Sequence, residues 1–149
     1  MNKKFWPIAA LDIAAVGILA IASVAAGELA AAHQVIVEGD IGATLHIEPN
    51  DTPRAGRQVT AWFALVRRGG ETVPLSACRC ALSVYQPYGD EAMAKPALAA
   101  IAAEGYQGIP SGQITFPHPG QYELVLTGYP ANAESFEPFV LRFEVLVAR

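Results

Sequence analysis

Residues 114–128, ITFPHPGQYELVLTG, constrain the fold of this chain more than any other stretch. Apolar side chains recur at every second position on both sides of a proline- and glycine-rich break at 117–120, which is the period of a half-buried β-strand. The alternating residues are Ile114, Phe116, Tyr122, Leu124 and Leu126. This pattern predicts two strands that share one inward face and are joined by a tight corner.

A tyrosine follows this break at a position with a known structural role. Gly120 and Tyr122 resemble the corner that enters strand F of immunoglobulin-like sandwiches, in which the tyrosine hydroxyl bonds to upstream backbone. Leu124 stands where a true immunoglobulin domain carries its second cysteine. The resemblance therefore concerns architecture and not antibody ancestry.

The rest of the chain favours an all-β fold. After residue 33, short alternating stretches are separated by turn signals, without a convincing amphipathic helix or an internal repeat. About seven strands spaced in this way predict a single antiparallel immunoglobulin-like β-sandwich. Residues 90–112 are the least regular, because Pro96 interrupts an alanine-rich run and further glycines and a proline follow it. We expect a long crossover there, with at most one short strand or 3₁₀ turn.

The first 32 residues predict export. Lys3 and Lys4 precede an apolar run at 13–26, and three alanines at 30–32 are small residues of the kind that signal peptidase recognises. The apolar run is shorter than the roughly 20 residues of a membrane-spanning helix, so cleavage is favoured over retention as an anchor. The predicted organisation is a signal peptide or membrane anchor at 1–32 and a β-sandwich at 33–149, located in the periplasm or an equivalent extracytoplasmic lumen.

Neither charge nor motifs indicate nucleic-acid binding or catalysis. The net charge is −4, which leaves no basic surface for nucleic acid or anionic lipid. Membrane contact is therefore expected only through an uncleaved N-terminal segment. The chain contains no Gly-x-Ser-x-Gly, no phosphate-binding glycine loop and no His-Glu-x-x-His. We expect a protein that is not an enzyme.

The first hypothesis for function is a binding or assembly module whose partner is an extracytoplasmic or membrane protein. Trp62 and Tyr85 are its candidate contacts, since strand parity turns both away from the core stripe. For Trp62 the alternative is a half-buried lid on the outer face of a sheet, because large aromatic side chains are usually mostly buried.

The two cysteines, Cys78 and Cys80, leave three interpretations open. A disulfide is usual in an exported protein, but side chains two residues apart on an extended strand lie too far apart for a bridge unless a turn forms at Arg79. The pair could instead supply thiolate ligands to Cu(I) or Zn(II), completed by histidines. The third interpretation is a thiol-redox module.

Three histidines are candidates for such a metal site. Cleavage after Ala32 would leave His33 with a free amino group beside its imidazole, and these two nitrogens can chelate Cu(II). His46 is expected on the polar face of a strand and His118 in the proline-flanked corner, where a single histidine is usually solvated or hydrogen-bonded. The second hypothesis is copper or zinc binding, and its candidate ligands are Cys78, Cys80, His33, His46 and His118.

An exported short β-sandwich with an N-terminal histidine and a Gly-x-Tyr corner resembles the periplasmic copper-handling domains of the CopC and YtkA-like kind. The resemblance covers residues 33–149 in architecture, and His33 matches a copper ligand of CopC. It implies copper handling outside the cytoplasm. The chain departs from the pattern because it has no late Asp-x-His pair and no methionine-rich stretch. A complete copper site therefore does not transfer.

Overall fold

A computed structural model describes residues 33–132 and 136–149, which form eight strands in two antiparallel sheets. The strands are, in chain order, β1 (Val35–Glu38), β2 (Ile41–Glu48), β3 (Gln58–Arg67), β4 (Cys78–Tyr85), β5 (Leu98–Ala103), β6 (Tyr106–Thr115), β7 (Gly120–Pro130) and β8 (Phe139–Val147), with one 3₁₀ turn, Leu75–Ala77, before β4. The sheet orders are β1-β2-β3-β6-β5 and β4-β7-β8. Without β1, these are the ABED and CFG orders of a constant-type immunoglobulin sandwich. The all-β prediction is confirmed.

The predicted leader at 1–32 lies outside the described residues. Across 33–132 and 136–149, no helix has the length and apolar character that a membrane crossing requires.

The predicted corner lies between β6 and β7 and carries the chain from the five-stranded sheet to the three-stranded sheet. The Tyr122 hydroxyl donates to the His118 carbonyl oxygen at 2.8 Å and accepts from the His118 N–H at 3.3 Å. The tyrosine corner is therefore confirmed. Its hydrogen bonds close the break at 117–120 onto the start of β7.

The core lies between the sheets and takes inward side chains from both. The five alternating residues of the 114–128 stretch are all at most 3% exposed and belong to this one cluster. Phe63 of β3 and Phe143 of β8 meet across it, with ring centroids 5.5 Å apart. The shared inward face on both sides of the corner is thereby confirmed.

The segment 90–112 is more regular than predicted. Its second half holds β5 and the first part of β6, which pair as an antiparallel hairpin. Glu104 and Gly105 form the turn with φ of 48° and 86°. At Gly112 an added Cβ would lie 3.1 Å from the Leu82 side chain. The predicted crossover between the two sheets is confined to residues 86–97, and the rest of the segment is in strands because its glycines serve a hairpin turn and close packing between the sheets.

β1, which the constant-type order lacks, lies beside the free edge of β8. The Gln34 Oε1 accepts the Glu144 N–H at 3.0 Å, and the Glu38 carboxylate accepts the Val140 N–H. These bonds satisfy backbone groups that an edge strand otherwise leaves unpaired. They also hold the chain before β1 against the sandwich, next to the end of β2.

Candidate metal centre

Three side chains with metal-binding chemistry converge at the end of β2. One nitrogen or oxygen atom from each of His33, His46 and Asp51 lies within 4.8 Å of the other two. In the part of the chain that the structure describes, this is the one group of three or more His, Cys, Asp or Glu side chains that meets so closely.

Strand register brings the two histidines together. β1 and β2 pair with Val35 opposite Thr44, so the chain before β1 continues alongside the end of β2. His33 therefore becomes a neighbour of His46, and their ring centroids are 4.2 Å apart. The arrangement depends on a pairing between residues 33–38 and 41–48, and no local motif in either stretch specifies it.

The turn after β2 supplies the carboxylate. The Ile47 N–H donates to Asp51 Oδ1 at 2.6 Å, and the Asp51 N–H donates to the Ile47 carbonyl oxygen at 2.7 Å. Asp51 has φ of 53°, a left-handed conformation that aspartate adopts more readily than most residues. This turn leaves Asp51 Oδ2 directed at His33 Nδ1, 3.4 Å away.

His46 is held between two rings. It lies opposite Trp62 in the β2–β3 register, and the two rings stack with centroids 4.0 Å apart and planes 4° from parallel. His33 contacts it from the β1 side with its ring tilted by 39°. His46 is only 7% exposed although it lies on the outer face of its sheet. The prediction that His46 lies solvated at the surface is therefore wrong.

Trp62 is 1% exposed, so the prediction that it is a partner contact is wrong. The outer face around it carries a small second core, formed with Ala64 and Ile109 and packed against side chains of the β5–β6 hairpin. Its indole N–H donates to Glu48 Oε1 at 3.3 Å. Trp62 is a covered platform for His46, which agrees with the lid alternative except that the burial is complete.

The cysteines form a disulfide within β4. Cys78 and Cys80 remain opposite Pro130 and Gly128 of β7, so the prediction that a bridge needs a turn at Arg79 is wrong. Gly128 makes room for the bridge, because an added Cβ would lie 2.8 Å from Cys78 Sγ. Bridged sulfur atoms are not thiolate ligands. The pair lies near the start of β8, whereas the histidines lie near its other end.

His118 and Tyr85 lie outside the cluster. His118 is exposed and belongs to the tyrosine corner through its backbone. Tyr85 is half-buried at the end of β4. Of the five predicted metal ligands, the structure brings together only His33 and His46. It adds Asp51, for which the sequence signal was the turn that ends β2.

A cavity of about 150 Å³ opens beside two of the three candidate ligands, His33 and Asp51. Gln34, Glu144 and Leu146 contribute to its wall together with His33 and Asp51. Its volume is enough for an ion and several waters, since a water occupies about 30 Å³ in the liquid. An ion can therefore reach His33 and Asp51 from solvent through this cavity.

Comparison with known proteins gives a structural counterpart and no family. No family model matches the chain, and no curated protein matches it. A crystal structure of a DUF4426 family protein from Pseudomonas aeruginosa PAO1 is similar to it, with a TM-score of 0.53, 14% identity, and coverage of 78% of this chain and 97% of that chain. This likeness concerns the fold alone. It does not connect the chain with the CopC and YtkA-like domains, so that resemblance stays a prediction.

Proposed function

We propose that the protein binds a divalent transition-metal ion, Cu(II) or Zn(II), through His33, His46 and Asp51. The observation that carries this proposal is the convergence of two imidazoles and a carboxylate within 4.8 Å. Both ions accept imidazole nitrogen and carboxylate oxygen as ligands.

The spacing of the donors suits one ion. Two ligands that each lie 2.0–2.1 Å from a tetrahedral ion are about 3.4 Å apart. His33 Nδ1 and Asp51 Oδ2 are 3.4 Å apart. All three donors lie within 4.8 Å of one another, so a separation at that limit must shorten by about 1.4 Å to reach the tetrahedral spacing. The His33 side chain is 51% exposed and can move toward His46, which the stack on Trp62 holds in place.

Three protein donors leave at least one coordination position for water or another ligand. If the leader is cleaved after Ala32, the amino nitrogen of His33 is available for that position. A site of nitrogen and oxygen donors generally binds Cu(II) more tightly than Zn(II). We therefore propose that Cu(II) is the more tightly bound ion and that the protein binds it in an extracytoplasmic compartment.

The proposed donor set omits the cysteines. Thiolate ligation by Cys78 and Cys80 would require reduction of their disulfide, and the pair is remote from His33 along β8. The thiol-redox interpretation and the binding-module hypothesis stay predictions.

Calorimetric titration of the metal-free protein with Cu(II) and with Zn(II) tests the proposal, with the N-terminus defined by intact mass. We expect one ion per chain and tighter binding of Cu(II). His33→Ala should weaken binding of both ions by at least tenfold, since loss of a supporting residue around a metal already costs about 10–100-fold. His33 is half-exposed, so this variant should fold normally.

His118→Ala is the matched control, because it removes an exposed imidazole that lies outside the cluster. It should bind both ions as the parent protein does. The proposal is wrong if the parent binds neither ion, or if His33→Ala and Asp51→Asn both retain the parental affinity.

A further inference from the structure

A second groove lies on the outer face of the three-stranded sheet and shares only Glu144 with the cavity beside His33 and Asp51. Its volume is about 540 Å³, within the range of ligand-binding clefts. Strands β4, β7 and β8 form its floor, and the turn at 86–90 forms part of its rim. The lining side chains with binding chemistry are Tyr85, Tyr88, Asp90, Glu123, Arg142 and Glu144.

Tyr88 on the rim combines two unfavourable features. Its φ is 60°, a left-handed conformation that is rare for a bulky side chain and that glycine adopts without strain. Its side chain is fully exposed, with a relative accessibility of 106%. The Gly89 N–H donates to the Gln86 carbonyl oxygen at 3.2 Å and closes the turn that presents it. Strained residues of this kind are concentrated at binding and active sites.

The groove carries an excess of negative charge. Its three carboxylates outnumber its one guanidinium by two. Arg142 forms an ion pair with Glu123 at 2.7 Å, which neutralises the one positive charge of the lining. Asp90 and Glu144 account for the remaining negative charge. The register places Tyr85 opposite Glu123 and Glu123 opposite Glu144. A tyrosine ring and two carboxylates therefore lie in a row across the three strands.

We propose that this groove binds an extended segment of a partner protein that contains arginine or lysine. A guanidinium or ammonium group gains cation–π attraction on the face of a tyrosine ring. Carboxylates accept charge-assisted hydrogen bonds from the same groups, and these are stronger than neutral ones. This site is separate from the proposed metal function. It specifies a positively charged segment as the partner of the binding module predicted from the sequence.

Fluorescence anisotropy with labelled octapeptides tests the inference on metal-free protein. One peptide alternates arginine with serine, and the other alternates glutamate with serine. We expect saturable binding of the arginine peptide only, weakened when salt rises from 20 mM to 150 mM because exposed charges are screened. Absence of binding by the arginine peptide, or equal binding of both peptides, would overturn the inference.

Tyr88→Ala should weaken binding of the arginine peptide at least fivefold. Tyr129→Ala is its matched control, because Tyr129 is an exposed tyrosine of β7 that does not line the groove. Equal affinities of these two variants would contradict the assignment. His33→Ala should bind the peptide normally, which separates this result from the outcome for the metal centre. Glu144 is left unchanged, because it lines both cavities.

Tyr88→Gly distinguishes a binding role from a structural one. Glycine relieves the left-handed strain at this position, so Tm should be unchanged or higher while peptide affinity falls as in Tyr88→Ala. A lower Tm together with unchanged peptide binding would show that Tyr88 stabilises the turn, and the inference would then fail.

Discussion

The imidazole of His46 lies flat on the indole of Trp62, with ring centroids 4.0 Å apart and planes 4° from parallel. The two residues are also directly opposite in the β2–β3 pair. Strand pairing therefore fixes the backbone of His46, and ring stacking fixes its side chain. A ligand whose rotamer is already held loses little conformational freedom when it binds an ion. Trp62 therefore positions His46, the proposed metal ligand, without supplying a donor atom itself.

Replacing Trp62 with leucine should lower Cu(II) affinity about tenfold, as loss of a residue that orients a metal ligand typically does. Trp62→Phe keeps an aromatic ring beside His46 and should restore most of the affinity. Calorimetry measures both values, and circular dichroism checks that each variant is folded. A folded Trp62→Leu protein with parental affinity would show that the stack has no positioning role.

Trp62 should also report metal binding through its fluorescence. Cu(II) has an unfilled d shell and quenches an indole that lies against one of its ligands, whereas Zn(II) is d¹⁰ and should leave most of the emission unchanged. The second tryptophan, Trp6, lies in the predicted leader. His33→Ala keeps Trp62 and is the control, and it should abolish the Cu(II)-dependent quenching at one equivalent. Equal quenching in the parent and in His33→Ala would place the ion elsewhere.

The tyrosine corner allows a test of the hydrogen bonds that close the break at 117–120. Tyr122→Phe removes a hydroxyl that bonds both the N–H and the carbonyl oxygen of His118. The free energy of unfolding should fall by about 1 kcal/mol, the usual net value of such a bond. Urea denaturation measures it, and the slope with denaturant should not change. Tyr129→Phe removes an exposed hydroxyl and should stay within about 0.5 kcal/mol of the parent.

Much of the fold was predictable because its strongest signals are local. The corner and its two strands are specified within residues 114–128 by alternation, turn residues and one tyrosine. The β5–β6 hairpin was missed because alanine and glycine carry little strand signal, and because Pro96 and the glycines favour a loop. Those glycines are explained by a turn and by close packing, which only the assembled sheets reveal.

The candidate metal centre was only half predictable. His33 and His46 could be named as donors from residue type, but their contact depends on the register of β1 against β2. Asp51 joins them through a turn with left-handed backbone, which alternation does not encode. The burial of Trp62 depends on side chains of the β5–β6 hairpin, which continues the same sheet beside β3. Strand parity places Trp62 on the outer face but does not reveal these neighbours.

Gly128 should tolerate no side chain. A Cβ at this position would lie 2.4 Å from the Phe139 ring and 2.8 Å from Cys78 Sγ. Gly128→Ala should therefore lower the free energy of unfolding by roughly 1–3 kcal/mol or more, as overpacked sites do. Gly89→Ala is the control, since its nearest contact would be an ordinary 3.4 Å and its φ is not left-handed. Equal stability of the two variants in urea would contradict the close packing of the disulfide against β7.

Side chains of β1 and of the residue before it cover the edge of β8, so we expect them to prevent association through that edge. Gln34 and Glu38 accept backbone N–H groups of β8 that face away from β7. Edge strands with unpaired backbone groups tend to pair with other chains. Combined Gln34→Ala and Glu38→Ala substitutions should therefore increase self-association with concentration, measured by light scattering at constant salt. Gln58→Ala with Gln107→Ala changes two exposed polar residues on β3 and β6 and should leave the mass unchanged. If both double variants scatter alike, side chains of β1 do not protect β8.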